Sequence, residues 1–345
     1  MIQTAFGDRV GVTHPLVQAP VGSASCPALA AAVSEAGALG MLAGSWLGPG
    51  ALAEAVHQTK AQTDRPFAVN LVLDPRSGTV GGHSDRLRAV MDVGVGVISF
   101  SFGRPGALAE RARAGGAVVV QSVGSAEAAR EAAGWADVLV AQGWEAGGHV
   151  EGHVSALALV PAVLDAAPGV PVLGAGGVGD GRGLAALLTL GAAGAWMGTR
   201  FLATDEAAAH PDYKARVVAA AETGTAYGVV FDGGWPEAPH RALRNGTVAA
   251  WERAGRPASA RPGEGDEVAP GVRRYDDVIA RADMPAESVD DLALYAGQSV
   301  GVVQKTQPAG VAVQAIMAEA EKALAAAGAL VRGAAEPAAA GRHKA

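Results

Sequence analysis

The residues with the clearest chemical potential in this chain are Gln142-Gly143-Trp144-Glu145-Ala146-Gly147-Gly148-His149. A titratable imidazole follows directly on two residues without side chains, so a flat ligand can lie against the backbone beside a group able to take up a proton near neutral pH. The apolar run 136–141 just before it reads as a buried strand, which puts His149 in the loop beyond that strand's carboxyl end, where α/β enzymes hold their reacting groups. A histidine that only caps a loop is the commoner case, and His153 is read that way. Zinc held by His149, His153 and Glu145 or Glu151 would need a helix. Gly147, Gly148 and Gly152 argue against one, and no metal is expected.

A second glycine cluster, Gly174-Ala175-Gly176-Gly177-Val178-Gly179-Asp180-Gly181, follows another strand-like run, and Met197-Gly198-Thr199-Arg200-Phe201 follows the next. Bare backbone N–H groups in such turns can converge on an anion where Cβ atoms would hold it away. Gly176, Gly177, Gly198 and Thr199 are the expected phosphate contacts, with Arg200 adding charge. Glycines also serve ordinary strand-to-helix turns, but two clusters in consecutive loops favour the anion site.

The elements that must position these residues alternate. Strand-like runs occupy 16–19, 39–43, 67–72, 95–100, 118–121, 138–141, 170–174 and 195–197, and stretches with helical spacing lie between them at 27–36, 49–62, 106–114, 126–133, 156–166 and 182–190. Such alternation implies parallel strands with right-handed crossovers. Eight units in about 200 residues fit a closed (β/α)8 TIM barrel better than an open doubly wound sheet. Segment 77–92, which contains Gly81-Gly82-His83, is expected to make an irregular excursion before a helix from Asp85. Beyond the eighth strand the pattern changes: 205–223 and 242–254 look helical, 226–239 is turn-rich and aromatic, 256–271 is loop-like, and helical spacing returns at 288–295 and 311–327. The predicted organisation is therefore a TIM barrel from 1–204 and 295–330, an appended, mainly helical C-terminal lid subdomain at 205–294, and a disordered tail at 331–345.

Composition narrows the function. With 50% hydrophobic residues and 48 glycines the chain can bury a large core, and its net charge of −7 with scattered Lys and Arg argues against nucleic-acid partners. The lone Cys26 can form no internal disulfide, and the chain opens with no charged and apolar leader, so a reducing cytoplasm is the expected location. Apolar runs fall short of the roughly 18 residues a membrane helix needs, and no membrane partner is expected.

Taken in order, 142–149, 174–181, 197–201 and Tyr295-Ala296-Gly297-Gln298-Ser299-Val300-Gly301 resemble the nitronate monooxygenase family, formerly called 2-nitropropane dioxygenases, which are FMN-dependent barrels. Flavin-dependent enoyl-acyl-carrier-protein reductases share these motifs. The resemblance implies FMN as cofactor, with its ring across the barrel mouth near Ala19-Pro20-Val21; the family usually has Met where Val21 stands. It implies flavin contacts from Asn70 and Gly147, and Gln121 and Gln142 occupy barrel-mouth positions suited to hydrogen bonds with the ring. Gly148 and Met197 complete the expected cofactor-binding set, and His149 corresponds to the catalytic histidine. Trp46, Trp144, Trp196 and Trp235 could wall an apolar pocket, Trp144 on the substrate side, and 231–236 resembles a family segment that reaches back toward the barrel.

The activity this implies is oxidation of alkyl nitronates with O2 to a carbonyl compound and nitrite, with a monomer or homodimer and a nitronate-like small molecule as the only expected partner besides oxygen. Two alternatives stand beside it: an NAD(P)H-dependent flavin reductase of an enoyl thioester or quinone, and a barrel that binds a phosphorylated metabolite without flavin.

Overall fold

The computed structural model describes residues 2–78 and 82–330. Gly81, in the excursion expected before the fourth barrel strand, and the tail expected at 331–345 lie outside the described residues. The strands among the described residues, in chain order, are β1 (Leu16–Gln18), β2 (Gly40–Ala43), β3 (Phe67–Val72), β4 (Val97–Ser101), β5 (Val118–Val123), β6 (Val138–Gln142), β7 (Gly148–His149), β8 (Val172–Ala175), β9 (Gly194–Met197), β10 (Thr225–Gly228), β11 (His240–Leu243), β12 (Glu267–Ala269) and β13 (Val272–Arg273). All but β7 and β10 to β13 form one eight-stranded parallel sheet, in the order β1, β9, β8, β6, β5, β4, β3, β2. A bridge between Val17 and Leu39, with Gln18 N–H donating to Leu39 O at 3.0 Å, joins the two end strands and closes the ring. The eight runs expected as strands each form one, and the TIM barrel is the fold.

Residues along these strands alternate between the barrel interior and the surrounding helices, as the two-residue period of a strand requires. Val17, Met41, Ala68, Val97, Val120, Val138, Val140 and Leu173 fill the interior. Phe6 and Val10, from the helix Ala5–Val10, join this cluster and plug its amino-terminal end. The carboxyl end is therefore the end left for a ligand.

Outside, backbone contact sets some identities. The helix Pro27–Glu35 lies so close on β2 that a Cβ at position 40 would stand 2.0 Å from Ala30 O, and only glycine fits there. The helix Ala309–Leu330 packs on Gly181–Thr189, where Asp180 caps by accepting from Gly183 N–H at 3.0 Å and Glu319 accepts from Gly181 N–H at 2.8 Å.

The segment 205–294 mixes helices with short strands. The expected helix at 205–223 is confined to Pro211–Ala219, and 242–254 begins inside β11 and becomes helical only at Gly246–Arg253. The helix expected at 288–295 is absent: a short 3-10 turn, Ala286–Ser288, is followed by extended backbone that bridges Ile279 to Ala293 and Ala242 to Tyr295. Leu292, Ala293, Leu294 and Tyr295 are all buried, and a short run apolar on both faces does not distinguish strand from helix by periodicity. Backbone partners on either side take up its groups through isolated bridges at Ala293 and Tyr295 instead of a helix.

Candidate active site

A cavity of about 350 Å³ opens at the carboxyl ends of the barrel strands. Of the residues expected to bind cofactor or act in catalysis, Ala19, Pro20, Val21, Asn70, Gln142, Gly147, Gly148, His149, Gly176, Gly177, Gly198 and Thr199 line it together. Three do not. Gln121 and Met197 sit at outward positions of their strands, because Val120 and Trp196 beside them belong to the interior cluster. Gln121 donates instead to Gly103 O at 3.3 Å and Ser122 O at 3.0 Å, and Met197 is buried among the helices. Arg200 is not among the lining residues, and its Nη2 donates to Ala203 O at 2.7 Å and Lys305 O at 2.8 Å. Inward positions of β4, β5 and β9 contribute Ser99, Ser101 and Ser122, which the motifs did not mark, and Trp196, one of the tryptophans expected to wall a pocket.

The loop after β6 does not hang free. Its β7 pairs antiparallel with β11, which sets His149 directly opposite His240, and β10 extends the same sheet. Gln142 fixes the loop from beneath: its Nε2 donates to His149 O at 3.0 Å and its Oε1 accepts from Glu151 N–H at 2.9 Å. Both ends of the amide expected to serve a flavin are thus already used by backbone.

An aromatic frame surrounds His149. The Trp235 ring stacks on it with centroids 4.0 Å apart and planes at 25°, and Phe102, His240 and Tyr295 approach from other sides at 6.4, 5.3 and 5.5 Å. Trp235 is itself pinned, its indole N–H donating to Asp74 Oδ2 at 3.2 Å, and Asp74 is ion-paired to Arg76 at 2.6 Å. Hydrogen bonding from Arg76 holds the Asp74 carboxyl below its usual range. The imidazole of His240 is fixed as a neutral tautomer, since Nε2 accepts from Phe231 N–H at 3.0 Å and Nδ1 then donates to Ala238 O at 3.0 Å. Burial pushes its pKa down to about 4.

These surroundings change the reading of His149. Burial drives its pKa well below 6.5, the neighbouring His240 acts in the same direction, and Asp74 opposes them only in part. The resting imidazole is therefore held in its neutral form at pH 7 more firmly than an unperturbed histidine would be. It is poised to accept a proton or a hydrogen bond. Its Nε2 has no partner among the described residues, and neither has the buried Oγ of Ser99, another lining residue. Unpaired buried polar atoms at a cavity are where a ligand's own groups belong.

On the other side of the cavity, glycines bring three loops into close approach. A Cβ at Gly147 would stand 2.4 Å from Gly297 N, and one at Gly176, whose φ is +94°, would stand 2.8 Å from Gly143 O. Thr199 Oγ1 accepts from Gly297 N–H at 2.9 Å and ties the segment 295–299 to the rim. Tyr295 donates to the carboxylate of Asp277 at 2.6 Å, and burial pushes the Asp277 carboxyl up to about 7; both line the cavity. Neither Asp277 nor Phe102 carried a sequence signal. Trp46, Trp196 and Trp235 line the cavity, whereas Trp144 lies under the guanidinium of Arg241, 4.4 Å from its centroid. His153 faces solvent beside Tyr227.

A family model described as nitronate monooxygenase matches residues 3–319. The chain belongs to the nitronate monooxygenase family. It is an oxidoreductase, as its relatives are. Among curated proteins, (3aS,4S,5R,7aS)-5-hydroxy-7a-methyl-1-oxo-octahydro-1H-indene-4-carboxyl-CoA dehydrogenase of Mycobacterium tuberculosis is 40% identical over 258 residues, covering 74% of this chain and 70% of that protein. Among solved structures, FabK from Thermotoga maritima superposes with a TM-score of 0.79 at 27% identity, covering 96% of this chain and 100% of the other. Nitroalkane oxidase from Streptomyces ansochromogenes superposes with a TM-score of 0.78 at 30% identity, covering 94% and 100%. No helix among the described residues is long and apolar enough to cross a membrane.

Proposed function

We propose that this member of the nitronate monooxygenase family binds FMN at the carboxyl rim of its barrel and oxidises small alkyl nitronates with O2, releasing a carbonyl compound and nitrite. The observation that carries this reading is a neutral, buried imidazole with an unpartnered Nε2, held by stacked aromatic rings at a cavity whose other loops are built of glycine. The cradle suits a planar phosphorylated cofactor: Gly148 and Gly177 adopt positive φ, Gly198 offers bare backbone, and Asn70 and the unpaired Ser99 hydroxyl supply polar groups. Gly176, Gly177, Gly198 and Thr199 would hold the phosphate, and Ala19, Pro20, Val21 and Asn70 the ring. FMN, when bound, supplies the electron acceptor and the site of oxygen reduction.

The protein's part is then position and proton transfer. His149 accepts the proton from a carbon acid or donates a hydrogen bond to the nitronate oxygens, depending on the form in which substrate arrives. Its aromatic frame keeps water from competing for that nitrogen. Similarity to nitroalkane oxidase supports the same class of substrate.

A second reading has its own support. The relative that is 40% identical acts on a CoA thioester, and removal of a proton beside a thioester carbonyl asks the same of His149 as removal beside a nitro group. Related to it is the NAD(P)H-dependent reduction of an enoyl thioester or quinone. Anaerobic mixing with NADPH separates the classes: a reductase bleaches its flavin within seconds, whereas the nitronate enzyme stays oxidised. Oxygen uptake with propionate 3-nitronate, matched by nitrite release, is the result expected; rapid bleaching by NADPH and no nitrite would overturn the first reading.

A further inference from the structure

Behind the aromatic frame lies a second cavity, of about 240 Å³, lined by Val150, Ala238 and Pro239 and, on its polar side, by Glu151 and the Asp74–Arg76 pair. Among the described residues, only Phe102 and Trp235 line both this space and the cavity that holds His149. The two rings meet edge to face, with centroids 5.0 Å apart and planes at 81°. They are held very differently. Trp235 is fully buried, stacked on His149 and hydrogen-bonded to Asp74, whereas Phe102 is half-buried and packs beside Val72, Trp235 and Ala238.

The backbone of Phe102 makes the placement unusual. Its φ is +56°, in the left-handed region that glycine enters freely and a bulky side chain seldom does. A turn is required here: Gly103 follows at φ +156°, where a Cβ would come within 2.9 Å of Leu73 Cβ. Two glycines would build that turn without strain. Instead a benzyl group occupies the first position and is aimed at the space beside His149, 6.4 Å from its ring. Strain retained at the edge of a site is a reason to ask what the side chain does there.

We propose that Phe102 determines how long a substrate the site accepts, its ring closing the His149 cavity off from the outer one and excluding substrates with an extended alkyl or acyl substituent. Removing the ring joins the two spaces and leaves Trp235 in place, so a chain leaving the reacting carbon beside His149 could run out past Val150, Ala238 and Pro239. This rests on the carbon-acid reading given above.

The test uses the full chain loaded with flavin and a series of primary alkyl nitronates from ethyl to octyl. In the wild type, kcat/KM falls as the chain lengthens. In Phe102→Ala, and to a smaller extent in Phe102→Leu, the octyl-to-ethyl ratio rises by roughly tenfold or more, the discrimination that a few methylenes command in a pocket. Phe102→Gly, which also relieves the positive φ, shows the same change in ratio and guards against loss of fold in the alanine variant, checked by thermal melting. An unchanged ratio in all three overturns the proposal. If no nitronate is turned over even by the wild type, it is the functional reading that fails. Calorimetric binding of straight-chain carboxylates from acetate to octanoate then decides separately: a gain for octanoate in the variants supports the partition, and identical chain-length dependence overturns it.

Discussion

At the scale of single residues the chemistry turns on an imidazole that burial keeps neutral. Because the folded environment lowers its pKa well below 6.5, kcat/KM with a preformed nitronate should show no protonation limb as pH is lowered through 6.5, the fall coming only in more acidic solution. A limb centred at 6.5 would mean that His149 is solvated in the working enzyme. Replacing it by alanine should lower kcat/KM with a neutral nitroalkane by roughly 10²- to 10⁴-fold, the usual contribution of a positioned proton acceptor, while leaving the flavin absorbance of the purified protein in place. Asp277 is tuned in the opposite sense, its carboxyl raised to about 7 by burial. Both groups line one cavity, which is where such opposed shifts are expected to gather.

Among elements, the decisive contact is between the loop that carries His149 and the segment 295–299. They touch backbone to backbone at Gly147 and Gly297, and the same glycine that the sequence suggests as a ligand contact is needed for that approach. Gly147→Ala should therefore destabilise the fold by about 1–3 kcal/mol through overpacking, read as a lower midpoint in urea with unchanged slope, and should lower activity with it. A substitution tolerated without either change would show that the loops have room to separate. Elements of the barrel were visible in the residue pattern because buried parallel strands are continuous apolar runs between amphipathic helices. The period of two within them carried more than the motifs did. Counting inward from Asn70, Val140 and Trp196 identifies Ser99, Ser101 and Ser122 as cavity residues and assigns Gln121 and Met197 to the outer face.

Across the whole molecule, burial of histidines couples folding to pH. His240 has a pKa of about 4 in the folded chain against 6.5 when unfolded, so between these values the unfolded chain binds more protons and stability falls as pH falls. Its neutral form costs nothing above pH 6.5 and about 3 kcal/mol is lost by pH 4. Asp277 acts in the reverse direction between its ordinary 3.8 and about 7, binding more protons when folded, so the total curve is flatter than His240 alone would make it. The comparison with His240→Asn isolates the histidine: the stability advantage of the wild type should narrow by about 3 kcal/mol between pH 7 and pH 4 in urea titrations. An advantage independent of pH would mean that His240 is charged in the folded protein.

Local sequence by itself determined the barrel, the rim at which its loops gather, and most of the cavity's lining, because strand and helix periodicities and the glycines of tight turns are properties of short segments. Tertiary structure alone decided that burial favours the neutral form of His149, that Gln142 braces the backbone of its own loop, that Arg200 is directed at carbonyls, and that Trp235 and Phe102 frame the imidazole. Those outcomes depend on which groups from distant parts of the chain exclude water from one another. Desolvation and cross-chain pairing leave no imprint on the residues of a single loop.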